Sequence, residues 1–270
     1  MDSGLKDKVV IITGASGGIG RACAEIFSAE GAKLALHGHT HIEAVDALAK
    51  RLPVESLVVQ GDLRTEIDAA KLFIETEDRF GRIDVVVANA GLWPPNATPI
   101  HAMDLDQWDN TIRANLGASF LCAREYFRYL AGARPDSAAL VLIGSTAAVF
   151  GEAEHTDYSA AKAGLTYGLT RSLKNEIVRL VPAGRVNAVC PGWTLTRMTE
   201  DSLRKHENVV PALQTRAHRR IARAEDIANA VAFLASDRLA GHITGEVLTV
   251  SGGMEGRLLH KSETIDPSQA

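Results

Sequence analysis

The sequence has little of several features that would place it outside the ordinary globular class. Only three cysteines occur in 270 residues, Cys23, Cys122 and Cys190, each inside an apolar segment. An odd number placed in this way fits buried thiols in a reducing compartment rather than a disulfide framework. Neither sign of charge dominates: 29 Lys and Arg face 33 Asp and Glu, for a formal net charge of −4. That balance offers nothing to a nucleic acid or an anionic membrane. No apolar run approaches the roughly 20 residues of a membrane span. The polar start, Met1-Asp2-Ser3-Gly4-Leu5-Lys6-Asp7-Lys8, carries no signal-peptide pattern. Repeats and low-complexity linkers are missing too. The expectation is a cytoplasmic protein with no metal, no nucleic-acid partner and no membrane attachment.

What is present is alternation. Hydrophobic residues make up 46% and charged residues 23%, and the length suits one large α/β domain. Short apolar runs (Lys8–Thr13, Lys33–His37, Leu57–Gln60, Asp84–Ala88, Ala138–Ile143, Arg185–Cys190, Val247–Val250) alternate with helical periodicity (Arg21–Glu30, Ile42–Arg51, Glu66–Phe80, Leu105–Leu130, Tyr158–Leu173, Ala224–Ala235). This pattern predicts a doubly wound, mostly parallel seven-stranded sheet with helices on both faces. Ligands in such sheets sit outside the carboxyl ends of the strands, where Gly14, Asp62, Asn89 and Ser145 fall. Asn115 and Gly117, poor helix residues, predict a kink inside the long helix. The stretch from Arg197 to Arg220 reads as an irregular, polar lid or binding loop.

Two local patterns carry chemistry. Thr13-Gly14-x-x-x-Gly18-x-Gly20 lies between a strand and a helix, where backbone can approach a pyrophosphate and the helix N-terminus offers N–H groups. A purely structural glycine turn would look the same. Tyr158 and Lys162 are four apart, so on a helix they share a face. A phenol that exchanges protons near neutrality needs its anion stabilised by about 4 kcal/mol relative to its ordinary state near 10. An ammonium 5–6 Å away supplies close to 3 kcal/mol at an effective dielectric of about 20. An amphipathic helix with a half-buried tyrosine and a solvated lysine fits the same spacing, and a short motif alone is weak evidence.

Taken together these residues resemble the short-chain dehydrogenase/reductase family, in its 3-oxoacyl-carrier-protein-reductase-like branch. The resemblance runs from Lys8 to Gly253 through Thr13-Gly14-x-x-x-Gly18-x-Gly20, Asp62-Leu63, Asn89-Ala90-Gly91, Asn115, Ser145, Tyr158-x-x-x-Lys162 and Pro191-Gly192-x-x-x-Thr196. It implies a single Rossmann-type domain over 1–255, a substrate loop at about 193–222 and a polar tail over 256–270. It also implies a reversible NAD(P)-dependent reduction of a ketone to a secondary alcohol. Tyr158 becomes the general acid and base, Lys162 the group that lowers its pKa and binds the nicotinamide ribose, and Ser145 the holder of the substrate oxygen. Asn115 anchors a water of the proton relay. Gly14, Gly18 and Gly20 line the cofactor phosphates, with Ser16, Gly17 and Ile19 in the same turn. Asp62 and Leu63 hold the adenine, and Asn89, Ala90 and Gly91 flank its ribose. Thr194 and Thr196, following Pro191 and Gly192, meet the nicotinamide amide and the pyrophosphate.

The family's final Asp-Gly-Gly is Ser251-Gly252-Gly253 here, and Gly38 stands where NAD-preferring members place an acid. With His39, Thr40 and His41 able to donate to a 2′-phosphate, NADP(H) is the expected cofactor and NAD(H) the alternative. Trp93, Thr146, Glu152, His155, Trp193, Leu195 and Met198 are expected to face the substrate. Arg216, Arg219 and Arg220 form either a solvated cluster or a dock for an acidic carrier. A homotetramer or homodimer is implied. A catalytically silent dinucleotide-binding protein and a non-redox lyase on the same fold are the competing functions.

Overall fold

The computed structural model describes residues 2–260, so the expected tail lies outside the described residues from 261 onward. The chain runs β1 (Val9–Ile12), α1 (Gly18–Ala29), β2 (Lys33–Gly38), α2 (Ile42–Arg51), β3 (Ser56–Gln60), α3 (Glu66–Phe80) and β4 (Val85–Ala88). A long helix follows, made of α4 (Leu105–Ile112), a π-helical segment Arg113–Gly117 and α5 (Ala118–Ala133). Next come β5 (Ser137–Ile143) and the short α6 (Thr146–Phe150). A second interrupted helix comprises α7 (Thr156–Ala163), the π-helical segment Gly164–Leu169 and α8 (Thr170–Ile177). β6 (Ala183–Pro191), β7 (Thr194–Leu195), α9 (Glu200–Leu203), α10 (His206–Gln214) and β8 (Ala222–Arg223) then lead to α11 (Ala224–Ala235), α12 (Asp237–Ala240) and β9 (Val247–Val250).

The seven main strands form one all-parallel sheet in the order β3-β2-β1-β4-β5-β6-β9. Val9-Val10-Ile11-Ile12 and Val85-Val86-Val87-Ala88 are buried at every position, as strands covered on both faces must be. Alternate residues feed two separate cores. Val10, Ile12, Leu34, Leu36 and Val87 pack with Phe27 of α1 and Val231 of α11. Ile11, Ala35, Val86 and Leu140 pack with Leu72 and Phe73 of α3 and Tyr126 of α5. The chain begins mid-sheet, winds outward to β3, then returns to place β4 on the other side of β1. That reversal opens a crevice beyond the ends of β1 and β4.

Two local expectations are refined. The kink at Asn115 is a π-helical segment, and the buried Asn115 donates its Nδ2 to the Thr111 carbonyl at 3.0 Å. At the end of the second π segment, Thr170 Oγ1 of α8 similarly donates to the Leu165 carbonyl at 3.0 Å. A side chain thus occupies a carbonyl where the regular helical ladder is interrupted. The stretch 197–220 is not irregular throughout, as the sequence predicts, but contains α9 and α10. Val209, Ala212 and Leu213 supply α10 with a covered side, although Pro211 sits within it. The three cysteines are unpaired and buried, and burial pushes the Cys23 and Cys122 thiols up to about 12. Among the described residues no helix is long and apolar enough to cross a membrane.

Tyr126 offers a test of the second core. It is fully buried and donates its hydroxyl to the Asp84 carbonyl at 2.7 Å. The same carbonyl also accepts from the Ala139 N–H at 3.0 Å, so removing the hydroxyl leaves no orphaned acceptor. Tyr126→Phe is therefore expected to lower stability by about 1 kcal/mol in urea unfolding with an unchanged m value. A loss above about 3 kcal/mol would contradict the shared-acceptor account.

Candidate active site

The crevice is held open by its first turn. Asn89, just past β4, donates its Nδ2 to the carbonyls of Thr13 (2.9 Å) and Gly14 (3.2 Å). Thr13 Oγ1 in return accepts from the Asn89 and Ala90 N–H groups, both at 2.9 Å. Gly14 lies in the left-handed region at φ 67°, and a Cβ on Gly20 would fall inside contact distance of the Gly14 carbonyl. Glycine is what lets the turn lie flat against the helix start. α1 opens at Gly18 with no side-chain cap and no acid in its first turn, leaving uncapped N–H groups and a positive dipole end of the kind that suits an anion.

From there a cavity of about 540 Å³ extends to Ser145, Tyr158 and Lys162. Ser145 lies two residues past β5 and caps α6, accepting from the Ala147 N–H at 3.1 Å. The first turn of α7 is anchored by Asp157, fully buried, which accepts from Thr111 Oγ1 (2.8 Å), Gln107 Nε2 (3.2 Å) and the Tyr158 N–H (2.8 Å). These bonds tie α7 to α4 and fix where Tyr158 points. Lys162 Nζ lies 5.7 Å from the Tyr158 ring centroid and donates to the Ile143 carbonyl at 2.9 Å. Burial lowers the Lys162 ammonium to about 8. Burial also pushes the Tyr158 phenol above its ordinary value, while the Ser145 hydroxyl and the Arg257 charge pull it back in part. The sequence predicts a phenol acidified by Lys162 together with a second positive group. In the protein alone the net displacement is upward, because the enclosed site disfavours phenolate by more than its neighbours repay.

The family model described as Enoyl-(Acyl carrier protein) reductase matches residues 14–255, from the first glycine of the turn past Gly253. The chain belongs to the short-chain dehydrogenase/reductase family. It is 34% identical over 253 residues to a 3-oxoacyl-[acyl-carrier-protein] reductase of Synechocystis sp., covering 93% of this chain and 98% of that protein. It is 35% identical over 257 residues to cis-4-hydroxycyclohexanecarboxylate dehydrogenase of Sinomonas cyclohexanicum, covering 94% and 98%. Among solved structures it resembles levodione reductase with a TM-score of 0.84 and 30% identity, over 92% of this chain and 97% of that one.

In this short-chain dehydrogenase/reductase the cavity brings together Gly14, Ser16, Gly17, Gly18, Ile19, Asn89, Ala90, Gly91, Asn115, Pro191, Gly192, Thr194 and Thr196 with the Ser145, Tyr158 and Lys162 group. Trp93, Thr146, Glu152, Trp193 and Met198 also line it. Gly20 stands behind the turn, and Leu63 is buried in the second core. Gly38 packs against Val45 and Ile42 of α2. His39 and Thr40 are exposed beyond the cavity wall, while His41 reaches it. Asp62 is held by Arg64 at 2.8 Å, whose hydrogen bonds lower its carboxyl to about 2. Two residues expected to face substrate do not line the cavity. Leu195 is exposed, and His155 is buried behind Trp93, stacked on it at 4.7 Å with Nε2 3.1 Å from the Pro94 carbonyl. The arginine cluster is dispersed: Arg216 is buried and donates to the Ala212 carbonyl, and Arg220 pairs with Asp226.

Sequence reasoning passed over His37. Its buried ring accepts at Nδ1 from the Gly14 N–H (3.2 Å), and its Nε2 lies 3.0 Å from the Gly61 carbonyl. The ring therefore joins the ends of β1, β2 and β3 in its neutral form. Its one signal in the sequence is an ionisable residue closing the apolar run Leu34-Ala35-Leu36. Burial lowers its pKa from the ordinary 6.5, with His39 adding to the effect and Asp68 and Asp62 opposing it. Protonation would remove the acceptor that Gly14 uses. The stabilising contribution is thus complete above about 6.5 and is lost as pH falls from there toward the lowered native value. His37→Gln is expected to flatten the fall of the urea midpoint below about pH 6.5 relative to the unsubstituted protein. Identical slopes in the two proteins would refute this role.

Proposed function

We propose that the protein is an NAD(P)-dependent oxidoreductase that interconverts a ketone and a secondary alcohol. The observation that carries this reading is the single cavity joining the glycine turn to Ser145, Tyr158 and Lys162, with Lys162 Nζ 5.7 Å from the Tyr158 ring. The fit of a dinucleotide is supported by a flat glycine turn and an acid-free helix start. Gly14, Gly18 and Thr196 would hold the pyrophosphate, and Lys162 the nicotinamide ribose. The hydride is what a nicotinamide coenzyme supplies when bound.

The chain's own groups handle the proton and the orientation. Ser145 Oγ donates to the substrate oxygen, and Tyr158 Oη gives that oxygen a proton during reduction and removes it during oxidation. The ammonium of Lys162, its Nζ 5.7 Å from the Tyr158 ring centroid, favours phenolate through its charge. Asn115 supports the loop after β4, since its Oδ1 accepts from the Leu92 N–H at 3.3 Å. Its part in a proton relay belongs to the same proposal.

The finer features are proposals in the same sense. They comprise one catalytic domain over 1–255, a cytoplasmic location, and a homodimer or homotetramer using α5, α7 and β9. Exposed Phe120 on α5 and Leu248 on the edge strand β9 support the last of these. NADP(H) is the preferred coenzyme, since His39, Thr40 and His41 stand exposed after β2 and Gly38 puts no acid there, the nearby Asp62 carboxylate, 4.0 Å from His39 Nε2, being held by Arg64.

Tyr158→Phe is expected to reduce kcat for ketone reduction by about 10²- to 10⁴-fold, followed by nicotinamide absorbance. Activity retained in that variant would remove Tyr158 from the proton path. Catalytic efficiency is expected to be higher with NADPH than with NADH, and His39→Arg to widen that difference. A strong preference for NADH would overturn the coenzyme assignment.

A further inference from the structure

The segment after β9 turns back over the substrate end of the cavity. Gly252 and Gly253 both lie in the left-handed region, at φ 68° and 74°, a pair of consecutive conformations that only glycine adopts at low cost. Ser251 Oγ accepts from the Met254 N–H at 3.3 Å. The returning chain then pairs with the end of α10, with Met254 bridged to Arg216 and the Glu255 N–H donating to the Thr215 carbonyl at 3.0 Å. This path delivers Arg257 to the cavity lining.

The guanidinium is incompletely used there. Its side chain is 20% exposed, Nε donates to the Gly151 carbonyl at 2.8 Å, and Nη2 is 3.5 Å from Glu152 Oε2. Nη1 has no protein partner among the described residues. A guanidinium on a largely buried side chain, with part of its planar fork unspent, is matched by a bidentate carboxylate. Glu152 is the one carboxylate among the lining residues, against Lys162, Arg197 and Arg257. Its other oxygen lies 3.8 Å from His155 Nδ1, so Glu152 keeps a neighbour if Arg257 turns to a ligand. Beside this charge stand two flat apolar walls, Trp93 and Trp193, edge to face at 6.0 Å. Arg257 and Glu152 line the same cavity as Ser145 and Tyr158, so one small molecule can meet both the charged end and the reacting oxygen.

We infer that the substrate is a small ketone or secondary alcohol bearing a carboxylate, gripped by Arg257 while its apolar body lies against Trp93 and Trp193. The inference rests on the hydride-transfer reading of the cavity. The rival role for Arg257 is a tether that fastens the returning chain to Glu152.

The probes are 4-oxocyclohexanecarboxylate and its methyl ester, a matched pair differing in charge. The unsubstituted enzyme is expected to favour the acid in kcat/KM. In Arg257→Met the loss on the acid should exceed that on the ester by about tenfold or more, mainly through KM. Glu152→Gln should improve the acid, because it removes a competing carboxylate. An ester used as well as the acid, or equal losses on both in either variant, would leave only the tether and overturn the proposal. Binding of unreactive cyclohexanecarboxylate, read by tryptophan fluorescence, separates this test from that of the chemistry. Tight binding weakened about tenfold by Arg257→Met, with no turnover of any ketone, would sustain the carboxylate site and reject the reductase reading. No binding, or binding indifferent to Arg257, rejects the carboxylate site whatever the turnover.

Discussion

The structure depends on the close contact between the glycine turn and the end of β4. Asn89 spends both amide hydrogens on the carbonyls of Thr13 and Gly14, and Thr13 accepts two N–H groups in return. The topology makes this contact possible, because only at the reversal of strand order do the ends of β1 and β4 adjoin with no helix between them. A side chain at Gly20 would drive the turn away, and α1 would no longer aim its first N–H groups into the crevice. His37 secures the same turn from the side of β2. Backbone geometry, rather than any charged side chain, makes this end of the cavity receptive to an anion.

The other end works through desolvation. Lys162 and Tyr158 are both displaced toward their neutral forms by burial. A lysine near 8 is still mostly protonated at neutral pH. The phenol, by contrast, is held as a proton donor until something compensates the buried anion. The phenol therefore keeps its proton at neutral pH, and losing it requires added positive charge beside the ring. Asp157 matters here without touching either group. By joining Thr111, Gln107 and the first turn of α7, it transmits the position of the long helix to the tyrosine.

Legibility in the sequence followed the range of the interactions. Helices Ile42–Arg51, Glu66–Phe80 and Ala224–Ala235 and the strand Val247–Val250 were readable to the residue, since capping and periodicity act within a few positions. The Tyr158 and Lys162 spacing is local in the same way. His37 was not readable as a clamp, because its partners Gly14 and Gly61 lie on other strands. Arg257 sits in a polar stretch without periodicity and gains its place only through the glycine pair that reverses the chain. α10 was hidden by Pro211 and by the charges around it. His155, expected at the substrate, was displaced by a packing choice, as the ring of Trp93 stacks over it.

The two π-helical segments have a geometric consequence. A wide turn inserts an extra residue into the helical count, so everything downstream is rotated about the axis by roughly 100° relative to an uninterrupted helix. Upstream of each insertion, Thr111 bonds Asp157 at the start of α7 and Lys162 bonds the Ile143 carbonyl beside the cavity; downstream, Tyr126 and Ile177 address the second core. The two insertions face each other where Leu116 meets Gly164. Each long rod is thus divided into a working half and a load-carrying half with separate azimuths, and the joints of the two rods are pressed together.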